Sequence, residues 1–182
     1  ISSYQAPLTE PEIFEVYPNR DSLPFIKQYH FDPQWRIKEF VRGTLRLNGW
    51  TKAWSNIFKE IETLSGPDGE YRIQEMSDQF WKENSYEEGE PDRVVLCVGL
   101  KAEKNNSSVW HKTFVMDSWG DKEATAMARL VSYPVSFAVE ALLANKLPSG
   151  LQAATDNLTL ITEWLDKIAD IAQHFQIIDH NQ

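Results

Sequence analysis

Cysteine is almost absent from this chain. One residue, Cys97, stands among 182. A lone thiol closes no internal disulfide, so a reducing compartment, the cytoplasm, is expected. Cys97 lies in the apolar run Val94-Val95-Leu96-Cys97-Val98. There it reads as a small buried hydrophobe of a strand rather than as a nucleophile. Positive charge is also scarce: 18 Lys and Arg stand against 27 Asp and Glu, a net charge of −9. General nucleic-acid binding needs a basic footprint that displaces counterions, so it is excluded, and docking on anionic lipid is disfavoured for the same reason. No apolar run reaches the roughly 18 residues of a membrane span, and nothing resembles a signal peptide. No membrane partner is expected.

Chemical motifs are missing as well. The chain has no G-x-G-x-x-G, G-x-x-x-x-G-K, H-E-x-x-H, C-x-x-C or G-x-S-x-G. It therefore carries no sign of a self-contained nucleotide site or hydrolase. The histidines His30, His111, His174 and His180 are scattered. His174 and His180 would meet a metal only if the tail folded suitably; ordinary surface or tail histidines are the simpler reading. The acidic run from Glu87 to Asp92 is broken by Gly89 and Pro91 and gives no converging ligand geometry, so it reads as a solvated connection.

What is present is enough apolar and aromatic residue, 42% and 12%, for one globular domain. The first residue is Ile1 rather than Met, which suggests a piece of a longer protein or a processed product. Residues 1–11 are polar, contain proline and show no periodicity; they read as a lead-in, with the domain proper spanning 12–182. Residues 12–19 alternate like a strand, and Pro18-Asn19 stop it. A short helix follows to about Tyr29, with Pro24 in its first turn.

Residues 35–47 read as one long strand closed by the Asn48-Gly49 turn. Trp50, Trp54, Ile57, Phe58 and Ile61 repeat at helical spacing. This stripe is expected to face the core, with pocket lining as the alternative. Gly66-Pro67-Asp68-Gly69 ends that helix, and a more polar helix is expected over 70–83. Segments 93–103 and 108–117 pair as a hairpin through Lys104-Asn105-Asn106-Ser107. A long helix begins at Gly120-Asp121. It is apolar almost all round and so expected to be buried on several sides, with a kink at Pro134. Asp156 or Asn157 caps a last helix, and Phe175–Ile178 forms a final short strand. The element order implies an α+β fold: a mixed or mostly antiparallel sheet with helices packed on it.

Against the acidic background, residues 16–50 concentrate arginine. Arg20 ends the first strand. Arg42, Thr44 and Arg46 fall on one side of the second, about 7 Å apart in succession. Guanidinium groups take carboxylates bidentately, and a threonine hydroxyl adds a donor. Gly43 removes a side chain where the strand passes close to something. This pattern supports an anion-binding, carboxylate-binding wall; surface ion pairs with the many acidic residues are the alternative.

The stretch Tyr17-Pro18-Asn19-Arg20-Asp21-Ser22-Leu23, then Arg42-Gly43-Thr44-Leu45-Arg46 with Gly49-Trp50 behind it, resembles the saccharopine dehydrogenase family after its dinucleotide-binding domain. Asp92-Arg93-Val94-Val95-Leu96, and Ala126-Met127-Ala128-Arg129 followed by Tyr133-Pro134, are similar to the family's later segments. The resemblance implies a substrate-binding and dimerisation domain of an NAD(P)-dependent oxidoreductase of lysine and amino-acid metabolism. Such an enzyme acts on a CH–NH bond of an amino acid with several carboxylates. It also implies that Arg20, Thr44, Leu45 and Arg46 bind substrate. The cofactor, NAD(P), would sit in an N-terminal Rossmann domain that is not in this sequence, so the chain alone would bind none and be inactive. The implied partners are the small-molecule substrate, that Rossmann domain and a second copy of the chain. A non-catalytic interaction module is the alternative.

Overall fold

The computed structural model describes residues 1–151 and 154–182. Two three-stranded antiparallel sheets form its frame. The first holds β1 (Ser2–Ala6), β2 (Glu12–Pro18) and β3 (Gly43–Leu47); the second holds β4 (Arg93–Lys104), β5 (Ser107–Trp119) and β6 (His174–Asp179), each in that order. Between β2 and β3 lies α1 (Pro24–Gln28). Between the sheets run α2 (Trp50–Ala53), α3 (Ser55–Thr63) and α4 (Gly66–Glu83), and before β6 come α5 (Ala126–Leu143) and α6 (Leu158–Ile171). The fold is thus α+β, and both sheets are wholly antiparallel.

The core lies where the sheets meet. Ala6 and Phe14 of the first, with Leu8 of the β1–β2 connection, pack with Val115 of the second, and Tyr4, Leu45, Val95, Cys97 and Ile178 close around them. The Cys97 thiol is pushed up by burial, and the Tyr4 phenol, also buried beside Cys97, is raised to about 12. A polar clamp adds to the apolar contact. Arg93 donates to both carboxylate oxygens of Asp117 at 2.8 Å, to Glu12 across the sheets at 2.8 Å, and lies 4.9 Å from the Trp119 ring centre.

Local signals act largely as the sequence implies. Asn105 and Asn106 take φ of 53° and 62°, the two left-handed residues of a tight hairpin turn. Asn157 caps α6 by accepting from the backbone of Thr159 and Leu160. Gly43 lies opposite Pro18, and a β-carbon there would stand 2.8 Å from Val16 Cγ1. This is the close approach that its lack of a side chain permits.

Four expectations are corrected. Residues 1–11 are not a featureless lead-in: β1 pairs along β2, and Ala6 and Leu8 are buried. The long strand over 35–47 shrinks to β3. Residues 29–42 are instead held by ring contacts among Tyr29, Phe31, Trp35 and Phe40, and no strand pairs with 36–42. Gly66-Pro67-Asp68-Gly69 does not separate two helices but forms the first turn of α4, where the backbone N–H that proline lacks would have no intrahelical partner anyway. Finally, α5 begins at Ala126 and runs through Pro134, and only Ala126, Phe137 and Ala141 of its residues are buried. Its start is fixed by Asp92, whose carboxylate accepts from the backbone of Ala126 at 2.7 Å and Met127 at 2.9 Å. By length and composition α5 would suffice to cross a membrane, with mean hydropathy 1.3. It is tied to its surroundings by an Arg129–Asp121 pair and by Lys167 of α6 on Glu140 at 3.0 Å.

Candidate functional site

In β2 and β3 alternate residues face opposite sides. Phe14, Val16 and Leu45 turn toward the core, so Glu15, Tyr17, Thr44 and Arg46 share the outer face. Opposite residues pair there: Tyr17 with Thr44, and Glu15 with Arg46. The strand therefore divides the three consecutive candidates. Thr44 and Arg46 stand together, while the Leu45 side chain packs against the core cluster.

Arg46 is held by aromatic groups. Its Nη2 donates to the Tyr17 hydroxyl at 3.2 Å. Its guanidinium carbon lies 5.9 Å from the Tyr17 ring centre and 5.5 Å from that of Trp50. Tyr17 and Trp50 stack on each other, centres 5.5 Å apart and planes 15° from parallel. The hydrogen bond from Arg46 lowers the Tyr17 phenol below its ordinary pKa, with Thr44 adding to the effect against burial. An arginine beside tyrosine stabilises the phenolate, the expected sign for an opposite charge.

Glu15 lies opposite Arg46 in register yet does not neutralise it. Its carboxylate instead accepts from the backbone of Gly49 at 2.8 Å, the backbone of Thr51 at 2.7 Å and the Thr51 hydroxyl. These bonds, that of the Thr51 hydroxyl foremost, hold the Glu15 carboxyl below the usual range. They also anchor the first turn of α2, which brings Trp50 over the sheet. Trp50, Trp54 and Phe58, four residues apart, then form a contiguous ring cluster with centres 5.2–6.2 Å apart. Together with Ile1, Tyr17 and Arg46 these rings line an open cleft of about 650 Å³. The helical aromatic stripe is thus half-buried and lines a pocket, an alternative that periodicity alone ranks below core packing.

Arg42 belongs to a neighbouring structure. Its guanidinium lies 3.9 Å over the Phe25 ring, its backbone N–H donates to Ser22 Oγ at 3.1 Å, and its carbonyl accepts from Asn19 at 2.7 Å. These contacts shape the turn that carries Arg20. That residue is exposed and takes a left-handed backbone, φ 60°, which a non-glycine residue adopts rarely. Arg20 and Arg46 are not brought together. Arg46 is level with Glu15, and Arg20 lies five residues beyond Glu15, up to about 17 Å along an extended chain. Two such anchors suit two anionic groups of one elongated ligand, not one carboxylate between them.

The decisive feature is electrostatic. Outside this region each arginine has a carboxylate: Arg72 has Glu60 and Glu75, Arg93 has Asp117 and Glu12, and Arg129 has Asp121. Among the described residues, Arg20, Arg36, Arg42 and Arg46 have none. In a chain with 27 acidic residues, these four arginines stand without an ion pair. Metal chemistry has no comparable support: no group of three His, Cys, Asp or Glu converges among the described residues. His174 bonds Thr9 at 3.2 Å, and His180 stacks on His111.

The α+β domain thus presents exposed arginines beside an aromatic cleft. The chain belongs to the family of the saccharopine dehydrogenase C-terminal domain, whose model matches residues 2–171. The match takes in the segment 2–11 that composition alone sets apart, in keeping with its strand and buried residues. No curated protein and no solved structure matches the chain.

Proposed function

We propose that this domain is the substrate side of a saccharopine dehydrogenase-like oxidoreductase acting on a CH–NH bond of an amino acid with more than one carboxylate. Family membership supports the class. The single observation that supports the site is that Arg20 and Arg46 stand without an ion pair. Arg20 takes one carboxylate, and Arg46, with the Thr44 hydroxyl beside it, takes another. Holding both ends orients the carbon between them, a positioning effect. Leu45 contributes by fixing the strand on the core.

The nicotinamide cofactor, NAD or NADP, supplies or accepts hydride in such an enzyme. The residues described here do not fit it: both sheets are antiparallel, and no strand–glycine turn–helix unit offers a pyrophosphate cradle. The cofactor is assigned to another domain of the intact enzyme, and the reaction to the cytoplasm. In that enzyme, Arg20→Ala or Arg46→Ala raises KM for saccharopine about tenfold or more, since a charged hydrogen bond contributes about 1.5–3 kcal/mol. An unchanged KM in steady-state assays would remove the site assignment.

A second role, subunit or domain contact, is favoured by α5. Met127, Val131, Val135 and Leu142 fall on one helical stripe and are 55–60% exposed. A continuous apolar stripe of this kind ordinarily meets a protein surface. We assign it to a homodimer contact. Sedimentation velocity should find a dimer that Val131→Glu with Val135→Glu converts to monomer; a monomeric parent chain would remove this role.

A further inference from the structure

β4 is an edge strand. In the order β4-β5-β6 it has a neighbour on one side only. Exposed edges are ordinarily kept short, broken by charge or proline, or covered by a loop or helix. β4 runs for 12 residues, and from Val94 to Leu100 it holds no charged residue and no proline. Among the described residues, no backbone group from 94 to 104 bonds to other backbone outside the β4–β5 ladder. Val95 and Cys97 turn toward the core between the sheets. Leu96, Val98 and Leu100 turn the other way and are 51%, 41% and 44% exposed.

The strand is complementary to itself. Two copies joined edge to edge about a two-fold axis normal to the sheet run antiparallel, and opposite residues share a face. With Val98 on the axis, Leu96 stands opposite Leu100 of the second copy, Arg93 opposite its Glu103, and Asp92 opposite its Lys104. Moving the axis to Cys97 sets Arg93 against Lys101, like charge against like. Moving it to Gly99 leaves the charges at both ends without opposite partners. One register therefore matches apolar with apolar and cation with anion. We propose that a second copy of the chain pairs its β4 with this one, antiparallel and with Val98 on the axis, so that two three-stranded sheets become one of six. This deepens the homodimer reading of α5 and rests on a second copy being the partner. α5 begins beside β4, its first turn capped by Asp92. Both copies of the helix then lie on the same side of the joined sheet.

The test combines cross-linking with sedimentation velocity on the 182-residue chain. In a Cys97→Ala background, which removes the native thiol, Val98→Cys is expected to give a disulfide-linked dimer on mild oxidation. Opposite residues of paired strands have Cα atoms about 4.5–5.5 Å apart, within disulfide reach. Leu100→Cys alone gives no linked dimer, but mixed with Leu96→Cys it gives a linked heterodimer. Val98→Lys, which sets one ammonium against its copy, raises the dimer dissociation constant about tenfold or more. If Val98→Lys disturbs folding by circular dichroism, the cross-linking pattern decides. A dimer that Val131→Glu with Val135→Glu dissociates, but in which Val98→Cys fails to link, overturns the β4 pairing and leaves the α5 contact standing. Linking of Leu100→Cys to itself overturns the register and with it the proposal. A chain monomeric at every concentration overturns both readings.

Discussion

Arg93 is the residue whose loss should most directly reveal how the two sheets are held together. Its side chain is 23% exposed, Asp117 15% and Glu12 34%, so the cluster is neither fully buried nor freely solvated. Breaking a buried pair by removing one partner costs about 3–5 kcal/mol. A surface pair is worth about 0–1 kcal/mol. Arg93→Met keeps the apolar stem near Trp119 but leaves two carboxylates close together without a cation. An intermediate loss of about 2–3 kcal/mol follows. With a urea dependence of roughly 2 kcal/mol per molar, the unfolding midpoint should fall by about 1–1.5 M. Arg93→Lys keeps the charge but not the two-point bond to Asp117, and should lie between the parent and Arg93→Met. Asp117→Asn added to Arg93→Met should cost little more, a coupling of about 1 kcal/mol or greater. Carboxylate affinity should not change while the variant is folded, because Arg93 contacts the inner side of the frame and Arg46 the outer. A midpoint shift below about 0.3 M for Arg93→Met would refute the argument, meaning that the apolar contact alone joins the sheets.

Two further perturbations test the devices that shape the site and the contact helix. Glu15→Gln should lower the melting temperature at pH 7. Since the folded carboxyl lies below its usual 4.5, its contribution is present above that value and lost as pH falls through the folded pKa. The gap between parent and variant should therefore close well below pH 4.5; a gap independent of pH would show that Glu15 acts by shape alone. Gly120→Ala would place a β-carbon 2.2 Å from Asp92 Oδ1 and displace the carboxylate that caps α5. A loss of about 1–2 kcal/mol in urea melts is expected, and a variant melting with the parent would show that the cap is dispensable.

The sequence makes some parts of this fold easy to read and hides others for identifiable reasons. The β4–β5 hairpin carries its own turn, Asn105-Asn106, and α6 its own cap, Asn157, so local chemistry suffices. In β1, Ser2-Ser3-Tyr4-Gln5-Ala6, only Ala6 is buried and only Tyr4 packs against the core. A strand with so short an inward face shows no periodicity, and its partner has to be known first. Residues 36–42 alternate as a strand would, yet no strand pairs with them, and the aromatic contacts from 29 to 40 decide their path instead. Around the site, period-two geometry correctly unites Thr44 with Arg46. The same period sets Leu45 on the other face, so only its backbone lies in line with the wall. The Trp50–Phe58 stripe ranks as core before pocket because helical aromatic spacing looks the same whether the face meets a core or an open pocket. What separates the cases is Glu15, whose bonds to Gly49 and Thr51 cannot be read from spacing.

The burial pattern bears on how the two proposed roles, binding and contact, fit one domain. Ten apolar residues of the described chain are buried. Many large ones stay open, including Trp35, Val41, Trp81, Val131, Val135 and Leu143. A self-sufficient domain of this size ordinarily hides about 70% of the surface its unfolded chain exposes. Apolar groups left in water lower solubility and add nothing to stability, whereas the same groups covered by another surface contribute roughly 25 cal/mol for each Å² removed from water. The stripe on α5 and the rings of the cleft are therefore surfaces whose stabilisation is realised only when something covers them. For α5 the proposed cover is the protein face of a second copy. For the cleft the proposed cover is a ligand, since the rings and Arg46 line one hollow. The arginines repeat the logic in charge: an anion that satisfies Arg20 and Arg46 supplies what the protein's own carboxylates, occupied elsewhere, do not.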